Sequence, residues 1–263
     1  MRIAALYRYP LKGFSPERLP RVALETGEYF PADRIFAIEN GDAGFDPAAP
    51  VHQAKIKFLM LMKNDEIARL STRFDDDTGD LSIRHEGREV VRGNVATEQG
   101  RVAITDFLTT YLSPDAMRGP LRLLTAPAGF RFTDSRRGFV SLINAASLAE
   151  LEERLGAPVD PLRFRGNILI EGLRPWEEFA LVGKVLEGPS GLRLRVTKRI
   201  DRCAATAVDP QTGLRDLPVV RTLMAAYGHI DCGVYADIIS AGSLAEGHRL
   251  RAIDVEEREH LGL

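Results

Sequence analysis

The twelve residues R-C-A-A-T-A-V-D-P-Q-T-G, Arg202 to Gly213, decide how this chain is read. They contain Cys203, one of two cysteines among 263 residues. A lone cysteine in a β-rich chain is most often an inert apolar filler. Here Arg199 and Arg202 flank it, and cationic neighbours favour the thiolate, the form that binds soft metals. The V-D-P-Q-T-G that follows carries Asp-Pro and Thr-Gly, which build a tight turn. A thiol entering a turn beside arginines suits a ligand better than a core. Cys232, between Asp231 and Gly233 at a strand start, has no such setting and reads as structural.

The rest of the chain bounds the possibilities. Its 35 Lys and Arg against 37 Asp and Glu leave a formal charge of −2, so no basic excess points to nucleic acid or to an anionic membrane. The apolar run Ile56–Met62 is broken by Lys57, far short of a membrane span. No secretory signal precedes the first strand and two cysteines make no disulfide framework, so a cytoplasmic location is expected. The histidines at 52, 85, 229, 248 and 260 lack zinc-ligand spacing. Dinucleotide and phosphate-loop glycine patterns and a serine nucleophile elbow are absent, and two cysteines are too few to hold an iron–sulfur cluster. The acidic run D-D-D-T-G (75–79) reads as a solvated hairpin turn, its glycine misplaced for a calcium loop.

Frequent short strands with few helices predict an α+β chain, predominantly β, of barrel-like architecture. Strands are expected at 3–9, 18–25, 34–38, 69–74, 80–84, 121–126, 139–143, 167–171, 180–186, 192–198, 232–239 and 248–253. Helices are expected at 97–112, with Thr97 as cap and Val102, Ile104, Phe107, Leu108 and Tyr111 as apolar surface, after Asn144, and at 218–227. A short buried helix is expected within 56–70. Turn residues concentrate in S-P-D-A-M-R-G-P (113–120) and place a domain boundary there, giving 1–117 and 118–263.

Basic and polar groups gather at strand ends and helix starts: Lys12, Arg34, the Arg163-Arg165-Asn167 cluster, and Asn144 with Ser147 in a first helical turn. Convergent, they would hold a phosphate-bearing ligand; separately, each arginine is a surface solvator or a local ion pair.

The Cys203 segment resembles the signature of the MOSC domain, named for the C-terminal domain of molybdenum-cofactor sulfurases. Y-R-Y-P-L-K-G (7–13) resembles the start of the β-barrel domain that precedes many MOSC domains, and F-R-G-N (164–167), P-W-E-E (175–178) and D-C-G-V-Y-A-D (231–237) fall in the family's order. The resemblance implies a MOSC β-barrel packed against an N-terminal β-barrel-like domain. It implies a molybdenum cofactor (Mo-molybdopterin), with Cys203 as metal ligand and catalytic residue. It places Lys12, Arg34, Asn144, Ser147, Arg165, Asn167 and Arg202 as cofactor-binding residues. In the branch similar to the mitochondrial amidoxime-reducing component and its bacterial counterparts, it implies an oxidoreductase that removes oxygen from N-hydroxylated small-molecule substrates. Gly13 departs from the serine many relatives carry. No ferredoxin module follows, which implies a separate electron-donor protein. The alternatives are a non-enzymatic carrier of the cofactor or of sulfur, using Cys203 as ligand or persulfide, and a plain binding module with a vestigial cysteine.

Overall fold

The computed structural model describes residues 1–42, 44–135 and 140–254; Phe139 of the expected strand 139–143 and His260 lie outside them. The chain is α+β and predominantly β, with three α-helices among the described residues. Eight strands form one sheet in the order Arg251–Ile253, Val185–Glu187, Arg193–Asp201, Asp231–Ser240, Val140–Asn144, Ile168–Glu171, Arg2–Arg8 and Glu17–Leu19. All of its pairings are antiparallel except that of Ile168–Glu171 beside Val140–Asn144. A parallel pair needs a crossover, and the second helix supplies it.

The three strands within the first 24 residues pair with the C-terminal part of the chain and with each other, while Leu11 and Phe14 between them enter the second core. Arg2–Arg8 pairs with Ile168–Glu171, and Arg21–Leu24 pairs with Gly242–Ala245. Pro20, which has no N–H to donate, separates Glu17–Leu19 from Arg21–Leu24, so the single strand expected at 18–25 is two. Ile3, Leu6, Leu142, Ile168, Leu194, Val196 and Val234 share the large core.

The intervening segment builds a second core beneath a three-stranded sheet, Leu70–Phe74, Asp80–His85 and Arg88–Asn94, and the helix α1, Glu98–Tyr111. Thr97 caps α1 by accepting from the Gly100 N–H at 3.1 Å. Ile104 and Leu108 are buried against the sheet, whereas Val102, expected on the same face, is 46% exposed. The helix expected within 56–70 is not formed: Lys55–Lys57 and Asp65–Arg69 are single 3₁₀ turns. Phe58 and Leu59 are buried between them, and Leu59 N–H bonds to Ile38 O at 2.9 Å, so strand-like pairing overrides the helical pattern.

Helix α2, Ala145–Leu155, starts at Asn144 and ends at Gly156 (φ 67°); α3, Val219–Tyr227, follows Pro218 and ends at Gly228 (φ 71°). Their apolar faces cover Cys232, Ile143 and Phe164 in a third core.

Gly233 sets the start of the long strand beside that core. It has φ +79°, and a Cβ there would lie 2.5 Å from Leu142 O and 2.7 Å from Ile143 Cδ1. Gly233→Ala therefore combines backbone strain with overpacking and is expected to destabilise the fold by about 3 kcal/mol in urea denaturation. A loss under about 1 kcal/mol would show that the strand accommodates a side chain.

Candidate functional site

Two of the sequence-predicted residues meet on Tyr9, the residue that follows the first strand, and a third lies nearby. The Arg34 guanidinium carbon lies 4.6 Å and that of Arg165 4.3 Å from the centre of the Tyr9 ring. Such contacts between guanidinium and an aromatic face are attractive, more so when desolvated. Both arginines have left-handed backbone, φ 50° at Arg34 and φ 51° at Arg165, which turns their side chains out of the adjoining strand and 3₁₀ turn. Strained backbone of this kind persists where surrounding contacts over-determine it. Arg34 Nη2 donates to Arg165 O at 3.0 Å and Arg165 Nη1 to Phe14 O at 2.6 Å. Lys12 is buried nearby, donating to Phe132 O at 2.9 Å and to Asp134 at 2.5 Å.

The charges in this group are unequal. Asp33 pairs with Arg34 and accepts the Tyr9 N–H at 2.8 Å. Asp134 pairs with Lys12. Arg165 forms no salt bridge to a described residue, and its Nη2 is buried without a hydrogen-bond partner. Burial, then the neighbouring Arg34, pushes the Arg165 guanidinium down to about 10. Burial also holds the Lys12 ammonium below its usual range, against Asp134. Burial opposes the Arg34 charge, but Asp33 outweighs it and the net shift is upward. A set of three cations facing two carboxylates, with one guanidinium edge unpaired, is an electrostatic demand for an anion.

Cys203 sits at the end of strand Arg193–Asp201, partly exposed, and opens the 3₁₀ turn Ala204–Ala207. Cys232 is fully buried among apolar side chains, which pushes its thiol up to about 12. The cationic setting expected around Cys203 is built differently. Arg199 stacks over Phe179 at 4.3 Å. Arg202 is buried and spends its guanidinium on backbone carbonyls, Cys232 O through Nε at 2.7 Å and Phe164 O through Nη1 at 2.8 Å. Arg202 thus fixes the chain just before the thiol.

The loop after Cys203 is held on both sides. Asp209 Oδ1 accepts from Gln211 N, Thr212 N and Thr212 Oγ1 at 2.7–3.0 Å, so this residue builds the turn. The turn docks on the intervening segment through Arg69 Nε to Thr212 O at 2.9 Å and Arg215 to Asp65 at 2.7 Å.

The other expected residues look inward. Asn144 and Ser147 do meet an anion at the start of α2, but it is the chain's own Glu178. This fully buried carboxylate accepts from Ser147 Oγ at 2.8 Å and from Asn144 Nδ2 at 2.9 Å. Asn167 ties three strands together, accepting from Ser141 N and Oγ and donating to Tyr7 O at 3.2 Å. Sequence reasoning passed over Tyr9, Asp33, Asp134 and Glu178. Tyr9 and Glu178 lie inside quoted motifs, but nothing in their spacing marks a ring shared by two arginines or a carboxylate at a helix start.

The Lys12–Asp134 pair has a pH signature. Burial works against the Asp134 charge, but Lys12, with Lys55 and Arg34, outweighs it and holds the carboxyl below its ordinary 3.8. A depressed carboxylate contributes stability above its unfolded value and loses it as the pH falls through the folded one. The Asp134 side chain is 53% exposed, so solvent screening limits its contribution to under about 1 kcal/mol near pH 7. The thermal-melting gap between wild type and Asp134→Asn is expected to close between about pH 4 and pH 2. A gap constant over that range would contradict the pairing.

Residues 1–117 match the MOSC N-terminal beta barrel domain and residues 130–251 match the MOSC domain. The chain is 27% identical over 227 residues to the molybdenum cofactor sulfurase of Caenorhabditis elegans, covering 81% of this chain and 30% of that protein. To the molybdenum cofactor sulfurase of Anopheles gambiae it is 26% identical over 276 residues, covering 93% and 35%. It thus spans about a third of the length of these relatives. Among solved structures, the YuaD protein from Bacillus subtilis aligns over 95% of this chain and 94% of its own, with TM-score 0.45 and 13% identity. The two family matches cover most of the chain between them, and the chain belongs to the MOSC family, with the N-terminal β-barrel domain ahead of the MOSC domain.

Proposed function

We propose that the chain binds a molybdenum cofactor, with the phosphate and pterin against Lys12, Arg34 and Arg165 and with Cys203 as the protein's ligand to the metal. The observation that carries this reading is the buried Arg165 Nη2, unpartnered beside Lys12 and Arg34 around one aromatic ring. The donor set fits the group: guanidinium and ammonium for a phosphate, and a partly exposed thiol, soft enough for molybdenum, on a separately anchored loop. The sulfurase relatives point to the same cofactor.

When bound, a cysteine-ligated molybdopterin supplies two-electron oxygen-atom transfer, and the proposed reaction is reduction of N-hydroxylated or related N-oxygenated small molecules. The chain's own contribution is positional. Lys12, Arg34 and Arg165 neutralise and orient the anionic end; the αL turns at Arg34 and Arg165 hold both guanidinium planes on Tyr9. Arg202, locked on Cys232 O and Phe164 O, keeps the backbone before Cys203 from moving. A separate protein would supply electrons. The names of the curated relatives favour a second reading, in which Cys203 carries the cofactor or a persulfide sulfur and no small-molecule reduction occurs.

The test is protein purified from a molybdate-fed, cofactor-competent host. Wild type is expected to carry molybdenum and pterin near one per chain, Cys203→Ala to lose most of the metal, and Arg165→Gln to lose metal and pterin together. Equal metal in wild type and Cys203→Ala would end the ligand assignment. Amidoxime reduction with an artificial reductant then separates the readings: turnover supports the oxidoreductase, and a Cys203 persulfide without turnover supports the carrier.

A further inference from the structure

Arg163 has no place in the binding set above, yet it is among the most enclosed charged groups in the chain, its side chain 2% exposed. Its guanidinium forks onto Asp216, Nη1 to Oδ1 and Nη2 to Oδ2 at 2.8 Å each. Nη2 also reaches Asp209 Oδ2 at 3.0 Å, and Nη1 reaches Ala207 O at 3.3 Å. All three partners lie in the loop that Cys203 opens. The next residue, Phe164, offers its carbonyl to Arg202, on the other side of the thiol. The residue after that, Arg165, turns left-handed and lies on Tyr9. Three consecutive residues therefore hold the loop behind Cys203, the arginine in front of it and one arm of the cationic group.

We propose that Arg163 is a positioning residue that fixes the Cys203 loop in register with the cationic group around Tyr9. The proposal rests on the reading of Cys203 as the reactive residue. The geometry calls for arginine because two parallel N–H bonds to one carboxylate, plus two further acceptors, need a planar fork. A lysine keeps the charge between Asp209 and Asp216 and loses the fork. The plainer role, neutralising two carboxylates, is satisfied by either side chain.

The two roles separate on the chain without cofactor. Cys232 is buried with a raised thiol pKa, so iodoacetamide labelling of folded protein reports Cys203. In Arg163→Lys, labelling is expected to accelerate about fivefold or more with the melting temperature within a few degrees of wild type. Amide exchange at Thr206 and Val208, whose N–H groups close the turn on Cys203 O and Ala205 O, is expected to quicken about tenfold while α1 is unchanged. Asp216→Asn, which weakens the fork from the other side, should give the same local signature, and the double variant should add little to either. Arg163→Lys at wild-type labelling and exchange overturns the proposal, as does acceleration spread equally over α1. Should Arg163→Lys not fold, Asp216→Asn alone decides by the same two readouts. Neither readout requires molybdenum, so this result is independent of the metal content of protein from a cofactor-competent host, on which the cofactor reading stands or falls.

Discussion

One aromatic ring between two guanidinium groups organises the candidate site of this molecule. Tyr9 follows the first strand of the chain, Arg34 leads into the intervening segment, and Arg165 precedes the strand paired with the first. Three parts of the chain far apart in sequence thus meet on one side chain. With Lys12 alongside, they concentrate positive charge where water is scarce. Burial disfavours each of these charges; Asp33 more than offsets that cost at Arg34, whereas Lys12 and Arg165 stay shifted toward the neutral form. The remaining imbalance is what a bound anion would relieve, and a fold that keeps it retains a preorganised site.

The cysteine loop shows the opposite electrostatics. There every charge is answered: Arg163 by Asp209 and Asp216, Arg215 by Asp65, and Arg202 by carbonyls. Answered charges give rigidity, and rigidity is what the proposed ligand role of Cys203 needs. Glu178 illustrates the same economy at α2. A helix start that would attract a phosphate is closed by an internal carboxylate, whereas Arg165, in the group around Tyr9, has no salt bridge to a described residue.

Local signals were readable from the residues themselves. Thr97, Asn144, Gly156 and Gly228 marked helix ends because capping chemistry is set by a few neighbouring atoms, and D-D-D-T-G marked its hairpin for the same reason. Lys12, Arg34 and Arg165 stood out as basic residues beside strands, but their meeting on Tyr9 is a product of sheet order. Asn144, Ser147 and Asn167 had the right chemistry for a ligand and found partners inside the protein, because a polar side chain in a forming core bonds to whatever is nearest. Arg199 and Arg202 flanked Cys203 in sequence yet point to Phe179 and to backbone carbonyls, since strand alternation and a helical turn decide direction where spacing alone does not. The helix expected at 56–70 failed for a related reason: Phe58 and Leu59 pair with the strand Phe36–Asn40 rather than lying on one helical face.

The cationic group on Tyr9 is proposed as an anion site. Titrating inorganic phosphate into the chain while following its ³¹P resonance tests this most directly. The account predicts saturable binding at one site, weakened about tenfold or more in Arg165→Gln, the expected loss of one charge-assisted hydrogen bond. Phosphate that does not saturate, or that binds wild type and Arg165→Gln alike, would contradict it.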